Sequence, residues 1–275
     1  MADHTFTGFG FGPIQGGLFA KEAFESGNFA RIAVAEIDAS LVDAVRANNG
    51  GYYVNIARSD GIEALRIDNV ELLNPNVEAD KQVLLEVLAQ STEIVTCLPS
   101  VTFYEAGGAN SVVSLIGEAL ENTLAQATIV YTAENNNHAA EILRDAVVCR
   151  NRDLAQRIEG ETPSPRVQFL NTVIGKMSRV VTDPAEIAAL KLEPIAPGLD
   201  RAFLVEQFNR ILVSRTQIPD FKPGIEVLVE KDDLLPFEEA KLYGHNAIHS
   251  LLGFLGAIKG YTATVSYTHL TLPTN

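Results

Sequence analysis

Near the carboxyl end of the chain an amine, a carboxamide and two imidazoles fall close together, in Lys241-Leu-Tyr-Gly-His245-Asn246-Ala-Ile-His249. The surrounding run from Asp233 to Gly256 reads as a helix. At ~100° per residue, Lys241, His245 and His249 lie within roughly 80° of arc, and Asn246 lies about 140° round from Lys241. Such a helix can aim all four groups at one substrate. Apolar Leu242, Ala247, Ile248, Leu251, Leu252, Phe254 and Leu255 are expected to bury it. His245 and His249 also have the spacing of two zinc ligands on one helix. A metalloprotease motif needs glutamate where Asn246 stands, and no third ligand is evident, so no metal is assigned.

The elements that must position this cluster come from a chain of 275 residues, long enough for two ordinary domains. Hydrophobic residues make up 47% and charged residues 20%, a globular composition with material for a core. A net charge of −14 argues against a non-specific nucleic-acid binder or a polybasic membrane patch, leaving a small-molecule partner. No signal peptide or membrane-length apolar run is seen, so a cytoplasmic protein is expected. Cys97 and Cys149 lack Cys-x-x-Cys spacing and are expected to be reduced, semi-buried thiols.

At the other end, a short β-prone segment from His4 to Phe9 runs into Gly10-Phe-Gly12-Pro13-Ile14-Gln15-Gly16-Gly17 and then a helix. Gly10 and Gly12 fit the first two positions of Gly-x-Gly-x-x-Gly, where a tight turn and a close-lying pyrophosphate leave no room for a side chain. Gln15 holds the third position, and Gly16 and Gly17 are candidates to take over its packing role. The next apolar strand ends in Glu36 and Asp38. Glu36 stands where the acid of a dinucleotide fold bonds the adenosine ribose, which predicts NAD over NADP; Asp38 is the fallback for that role and otherwise reads as the N-cap of a helix over 39–48. Gly51 to Ala57 and Ile62 to Leu73 alternate like a strand hairpin.

Beyond a helix over 77–89, the strand from Glu93 ends at Leu98-Pro99-Ser100, at the position of the switch-point loop, so Leu98 is a candidate cofactor contact. After the strand Thr128–Thr132, Asn135 is a candidate for the ribose or a substrate hydroxyl. The stretch Gly160 to Arg166 marks a domain boundary. The chain is thus expected to be α/β: a Rossmann-type doubly wound sheet over 1–162, then a mainly α-helical, incomplete substrate domain over 163–264. Residues 265–275 read as a non-native tail. Lys176 lies in an apolar segment of the second domain.

Taken together, these segments resemble the polyol-specific long-chain dehydrogenases, the mannitol dehydrogenase and mannitol-1-phosphate 5-dehydrogenase superfamily. The resemblance rests on lysine, asparagine five positions on and histidine three beyond, at Lys241, Asn246 and His249. It is supported by Phe9-Gly-Phe-Gly12, Ala35-Glu36, Glu134-Asn135 and Leu252-Gly253-Phe-Leu255-Gly256. It implies NAD-dependent interconversion of a polyol or polyol phosphate and its ketose, mannitol 1-phosphate and fructose 6-phosphate being the first pair to consider. It also implies Lys241 as general base, Asn246 and His249 as partners of the reacting oxygen, and Asn135, Lys176 and His245 as substrate contacts. A sugar-acid reductase of the same fold and a non-catalytic NAD-binding protein are the alternatives. Members often have arginine near the position of Lys176 and continue well beyond this helix. A monomer and a dimer both remain open.

Overall fold

A computed structural model describes residues 4–122, 127–150, 154–155, 158, 166–207 and 210–260. The boundary expected at 160–166 and the tail at 265–275 therefore lie outside the described residues, apart from Arg166. The chain divides into two compact units, Met1–Asp232 and Asp233–Asn275.

The first unit is built on a sheet of β1 (His4–Phe9), β2 (Phe29–Ala35), β5 (Val70–Leu73), β6 (Glu93–Thr96), β7 (Thr128–Thr132), β8 (Val167–Val173), β11 (Ile211–Ser214) and β12 (Leu228–Lys231). Its order is β12-β11-β8-β7-β6-β1-β2-β5. From β5 to β8 every pairing is parallel. This is the doubly wound order in which the chain starts at the centre, runs to one edge and returns to build the other, with its switch point between β1 and β6. The α/β, Rossmann-type expectation is met here. Alternate residues serve opposite faces: Ile32 and Val34 join one apolar cluster and Ala33 and Ala35 the other. One face is covered by α3 (Glu78–Gln90), α4 (Val112–Glu121) and α5 (Ala139–Arg150), through residues such as Leu84, Ile116 and Leu143.

The other face is covered by α1 (Ala20–Ser26), α2 (Ala39–Ala47) and a second sheet. That sheet has the order β4-β3-β10-β9, from β3 (Tyr52–Arg58), β4 (Gly61–Ile67), β9 (Ser178–Val181) and β10 (Ala202–Glu206). The expected hairpin is β3–β4, but the segment Ile62–Leu73 does not continue as one strand. Asn69, at φ +61°, turns the chain, and β5 leaves the hairpin to pair with β2. The helical character expected of residues 163–264 begins only at Leu235; before it, α6 (Pro184–Leu190) is the single helix among the described residues from 166 to 234. The reason is the sheet itself: β8 pairs with β7, and β10 with β3, so the chain after the expected boundary completes sheets begun before it. Cys97 is partly buried, whereas Cys149 is exposed, at the solvent side of α5. Among the described residues no helix is long and apolar enough to cross a membrane.

Close approach of the first helix to the second sheet demands glycine. A Cβ on Gly16 would lie 2.7 Å from Phe203 Cε2, and one on Gly17 2.5 Å from Val205 Cγ1. Gly16→Ala should therefore lose about 1–3 kcal/mol to overpacking, against about 1 kcal/mol regained in helix propensity. A lower urea midpoint is expected, and a midpoint above the parent's would show that Phe203 yields.

Glu93 opens β6 with no exposed surface. Its Oε1 accepts the Gly224 N–H at 2.5 Å, while Oε2 has no hydrogen-bond partner among the described residues. Burial pushes this carboxyl up to about 7. The native state then holds a proton that the unfolded chain releases near pH 4.5, so stability falls as pH rises from there to about 7 and stays lower above. Glu93→Gln keeps the acceptor and removes the titration. Relative to the parent it should gain stability across that window, by on the order of 3 kcal/mol at pH 8; parallel stability–pH curves would contradict this.

Candidate active site

In the first unit the residues singled out from sequence gather at the carboxyl ends of β1, β2, β6 and β7. Gly10 has φ +79°, and a Cβ there would lie 2.9 Å from the Cys97 carbonyl oxygen and 3.1 Å from Leu98 Cδ2. Both the left-handed backbone and the close approach exclude a side chain. Gly12 differs, because a Cβ there would meet no atom within 4 Å. The space above it is open to a ligand. Pro13 is the first helical residue, where its missing N–H costs nothing. The helix opens α-helical at Pro13 and Ile14, widens to a π turn over Gln15–Phe19 and continues as α1.

Gln15 is fully buried, with its amide nitrogen 1.7 Å from where a Gly8 Cβ would stand. It thus plugs the space that Gly8 leaves. The packing role of the absent third glycine falls to Gly16 and Gly17, as the sequence suggested.

Glu36, just past β2, accepts the Phe11 N–H at 2.6 Å on one carboxylate oxygen and the Asp38 N–H at 2.8 Å on the other. It sits beside the glycine turn because β1 and β2 pair in parallel with Phe9 opposite Ala35. Asp38 is the N-cap of α2, accepting from the Ser40 and Leu41 N–H groups. Open space over Gly12, a first helical turn with free donors and an acid at the end of β2 together suit the pyrophosphate and ribose of a dinucleotide.

The sequence reading did not single out the role of Glu134. This buried carboxylate accepts the Thr96 hydroxyl at 2.9 Å, the Leu98 N–H at 2.8 Å and the Tyr104 hydroxyl at 2.5 Å. It pins the loop after β6 and so holds Leu98 against Gly10. Burial raises its pKa, the hydrogen bonds opposing. Its neighbour Asn135 is exposed in the loop after β7. Lys176 is exposed between β8 and β9, and with Pro13, Ile14, Ser178 and Glu206 it lines a shallow hollow beside the start of the first helix.

The described part of the second unit is one helix: α7 (Leu235–Glu239), a π turn over Ala240–Asn246, and α8 (Ala247–Ile258). The π turn corrects the angular reading made from sequence. Its hydrogen bonds run from i to i+5, at about 4.4 residues per turn, so Lys241 and Asn246, five apart, lie about 50° apart instead of about 140°. The α-helical repeat then brings His249, three residues on, to the same side as Asn246. All three are partly buried. Burial lowers the Lys241 pKa from its ordinary value, against the opposing charge of Glu238. The side chain of His245 lies outside the described residues. The apolar positions expected to be buried include several that are exposed: Ile248 and Leu251 at 57% and Phe254 at 73%. Among the described residues of this unit there is no second layer to cover them. Among the described residues, no three His, Cys, Asp or Glu side chains form a group that could hold a metal.

No family model matches the chain. A mannitol-1-phosphate 5-dehydrogenase of Buchnera aphidicola is 24% identical over 257 residues, 92% of this chain and 59% of the relative. One of Neurospora crassa is 28% identical over 254 residues, 91% of this chain and 57% of the relative. The chain thus spans less than two thirds of the length of these curated relatives. Among solved structures, a Pseudomonas fluorescens mannitol 2-dehydrogenase in ternary complex with NAD and D-mannitol superposes with a TM-score of 0.71 at 19% identity, covering 94% of this chain and 59% of that one. A substrate-free D-sorbitol dehydrogenase gives 0.74 at 17% identity, covering 94% of this chain and 60% of its own. By sequence the chain is similar to mannitol-1-phosphate 5-dehydrogenases over nine tenths of its length, and its fold is that of mannitol and sorbitol dehydrogenases, the polyol-specific group that its motifs resemble.

Proposed function

We propose that the chain works as an NAD-dependent oxidoreductase, interconverting a polyol or polyol phosphate and its ketose, with mannitol 1-phosphate and fructose 6-phosphate as the first pair to test. What supports this reading is the π turn over Ala240–Asn246 followed by an α turn, which narrows the arc that holds Lys241, Asn246 and His249. NAD, when bound, would supply the acceptor for the hydride of the alcohol carbon. Glu36 would hold the ribose hydroxyls, the glycine turn and first helical turn would hold the pyrophosphate, and Leu98 and Asn135 border the same strand ends.

In the oxidation direction Lys241, as a neutral amine, takes the hydroxyl proton. An unperturbed lysine is almost wholly protonated near neutral pH, so a lowered pKa is a requirement of the role. Burial lowers it here. Asn246, through its amide N–H, and His249, through a ring N–H, stabilise the negative charge that develops on the oxygen. In the reverse direction the Lys241 ammonium returns the proton to the carbonyl oxygen. Lys176 and Asn135 are assigned to the rest of the substrate.

NADH oxidation with fructose 6-phosphate, fructose and fructuronate separates the polyol from the sugar-acid reading. Lys241→Ala should cut turnover by on the order of 10²–10⁴-fold while leaving NADH affinity unchanged; turnover like the parent's would remove the base assignment. Polyol oxidation by the parent should rise with pH to a plateau set below the ordinary lysine value, following the direction of the Lys241 shift. Glu36→Gln should weaken discrimination against NADPH by about tenfold, the loss of one repulsive charge. Unchanged discrimination would place the ribose elsewhere.

A further inference from the structure

The acid that caps α2 is also tied to a cation from the second sheet. Arg201 stands just before β10, and its Nη2 donates to Asp38 Oδ2 at 2.5 Å. Asp38 Oδ1 accepts from the Ser40 N–H, the Ser40 hydroxyl and the Leu41 N–H. One carboxylate oxygen therefore caps the helix while the other neutralises the guanidinium. The Ser40 hydrogen bond and then Arg201 hold the Asp38 carboxyl down at about 2, so it is ionised throughout the neutral range. Both side chains keep contact with solvent, 27% exposed for Arg201 and 37% for Asp38. Nε and Nη1 of Arg201 make no hydrogen bond among the described residues.

This pair is joined to the glycine turn through the Glu36 carboxylate. The Asp38 N–H donates to Glu36, and Glu36 in turn accepts the Phe11 N–H. The arginine is thus held two residues from the acid assigned to the adenosine ribose. In dinucleotide folds an acid at this place bonds the 2′-hydroxyl, whereas a nearby arginine accommodates a 2′-phosphate. Here both are present, and the arginine is covered by a second acid.

We propose that Asp38 determines cofactor specificity by masking Arg201, and that Arg201, once uncovered, accepts the 2′-phosphate of a dinucleotide. The proposal rests on the dinucleotide reading of the Gly10–Gly12 turn. With Asp38 in place, a 2′-phosphate of about −1.5 to −2 charge meets two carboxylates and a guanidinium already matched by one of them. Without Asp38 it meets one carboxylate and a planar fork of donors suited to phosphate oxygens.

Asp38→Ser tests this without removing the cap, since a serine hydroxyl also accepts from the first-turn N–H groups. NADH and NADPH dissociation constants are measured by fluorescence titration for the parent, Asp38→Ser, Arg201→Gln and the double variant, with thermal unfolding confirming that each is folded. Asp38→Ser should tighten NADPH by about tenfold and change NADH by less than about threefold. The gain should vanish in the double variant, and Arg201→Lys in the Asp38→Ser background should keep part of it. A gain that persists in Asp38→Ser/Arg201→Gln overturns the proposal, because lost repulsion alone then explains it. NADH binding with no NADPH gain in Asp38→Ser overturns it as well, leaving the dinucleotide reading standing. A parent that binds neither nucleotide overturns both.

Discussion

At three glycines around the turn after β1, Gly10, Gly16 and Gly17, there is no room for a side chain. Gly10 lies against the Cys97 carbonyl at the end of β6, and Gly16 and Gly17 lie against Phe203 and Val205 of β10. This crowding joins the two sheets. The parallel sheet fixes where β1 ends, the glycine turn returns the chain over it, and the bare face of the helix lets the second sheet close down upon it. Phe11 packs edge-on against Tyr52 and Phe203 in the same seam, with ring centroids 4.9 and 5.7 Å away. The turn is therefore a packing junction before it is a binding surface. What it leaves open, the space over Gly12, is open because its neighbours are held so tightly.

Carboxylates do the holding. Glu36 ties the glycine turn to the end of β2, and Glu134 ties the loop after β6 to the end of β7. Hydrogen bonds to a charged acceptor are worth about 1.5–3 kcal/mol each, roughly twice a neutral one. These two acids consequently fix the relative heights of the loops along the carboxyl edge of the sheet. Glu134 is the more deeply placed, and a pKa raised by burial marks the cost of keeping it there. An acid that ties the last residue of β6 to two donors of the loop after it serves the site without needing to touch a ligand.

The central strands β1, β2, β6 and β7 of the parallel sheet were legible in the chain because they are short apolar runs separated by helical patterns and closed by recognisable turn chemistry. Asp38 announced α2 by cap chemistry alone. The second sheet was harder to read. Its strands β3, β4, β9 and β10 come from two distant stretches, and β10 pairs with β3 across some 150 residues of intervening chain, a relation that local periodicity does not encode. The break at Asn69 was hidden for a related reason: β4 and β5 are both apolar alternations, and only their partners distinguish a hairpin arm from a sheet edge. At the candidate site, residue types and spacing singled out Lys241, His245, Asn246 and His249 as a cluster, but an ideal α-helix set the asparagine about 140° from the lysine, because a π turn is not encoded in the letters. The role of Glu134 could not be read either, since a buried loop clamp and a solvated helix start look alike as letters.

The two π turns carry a consequence for how this sequence is to be aligned with others. Each widens a helix without breaking it, at Gln15–Phe19 and at Ala240–Asn246. Downstream residues are displaced in helical phase relative to a continuous α-helix. A comparison that opens a gap in either turn to restore a regular heptad pattern would shift the following face by one position and pair the wrong groups. In both helices the insertion falls where chemistry is assigned, and the frame that keeps the five-residue step from Lys241 to Asn246 is the one that keeps their side chains adjacent.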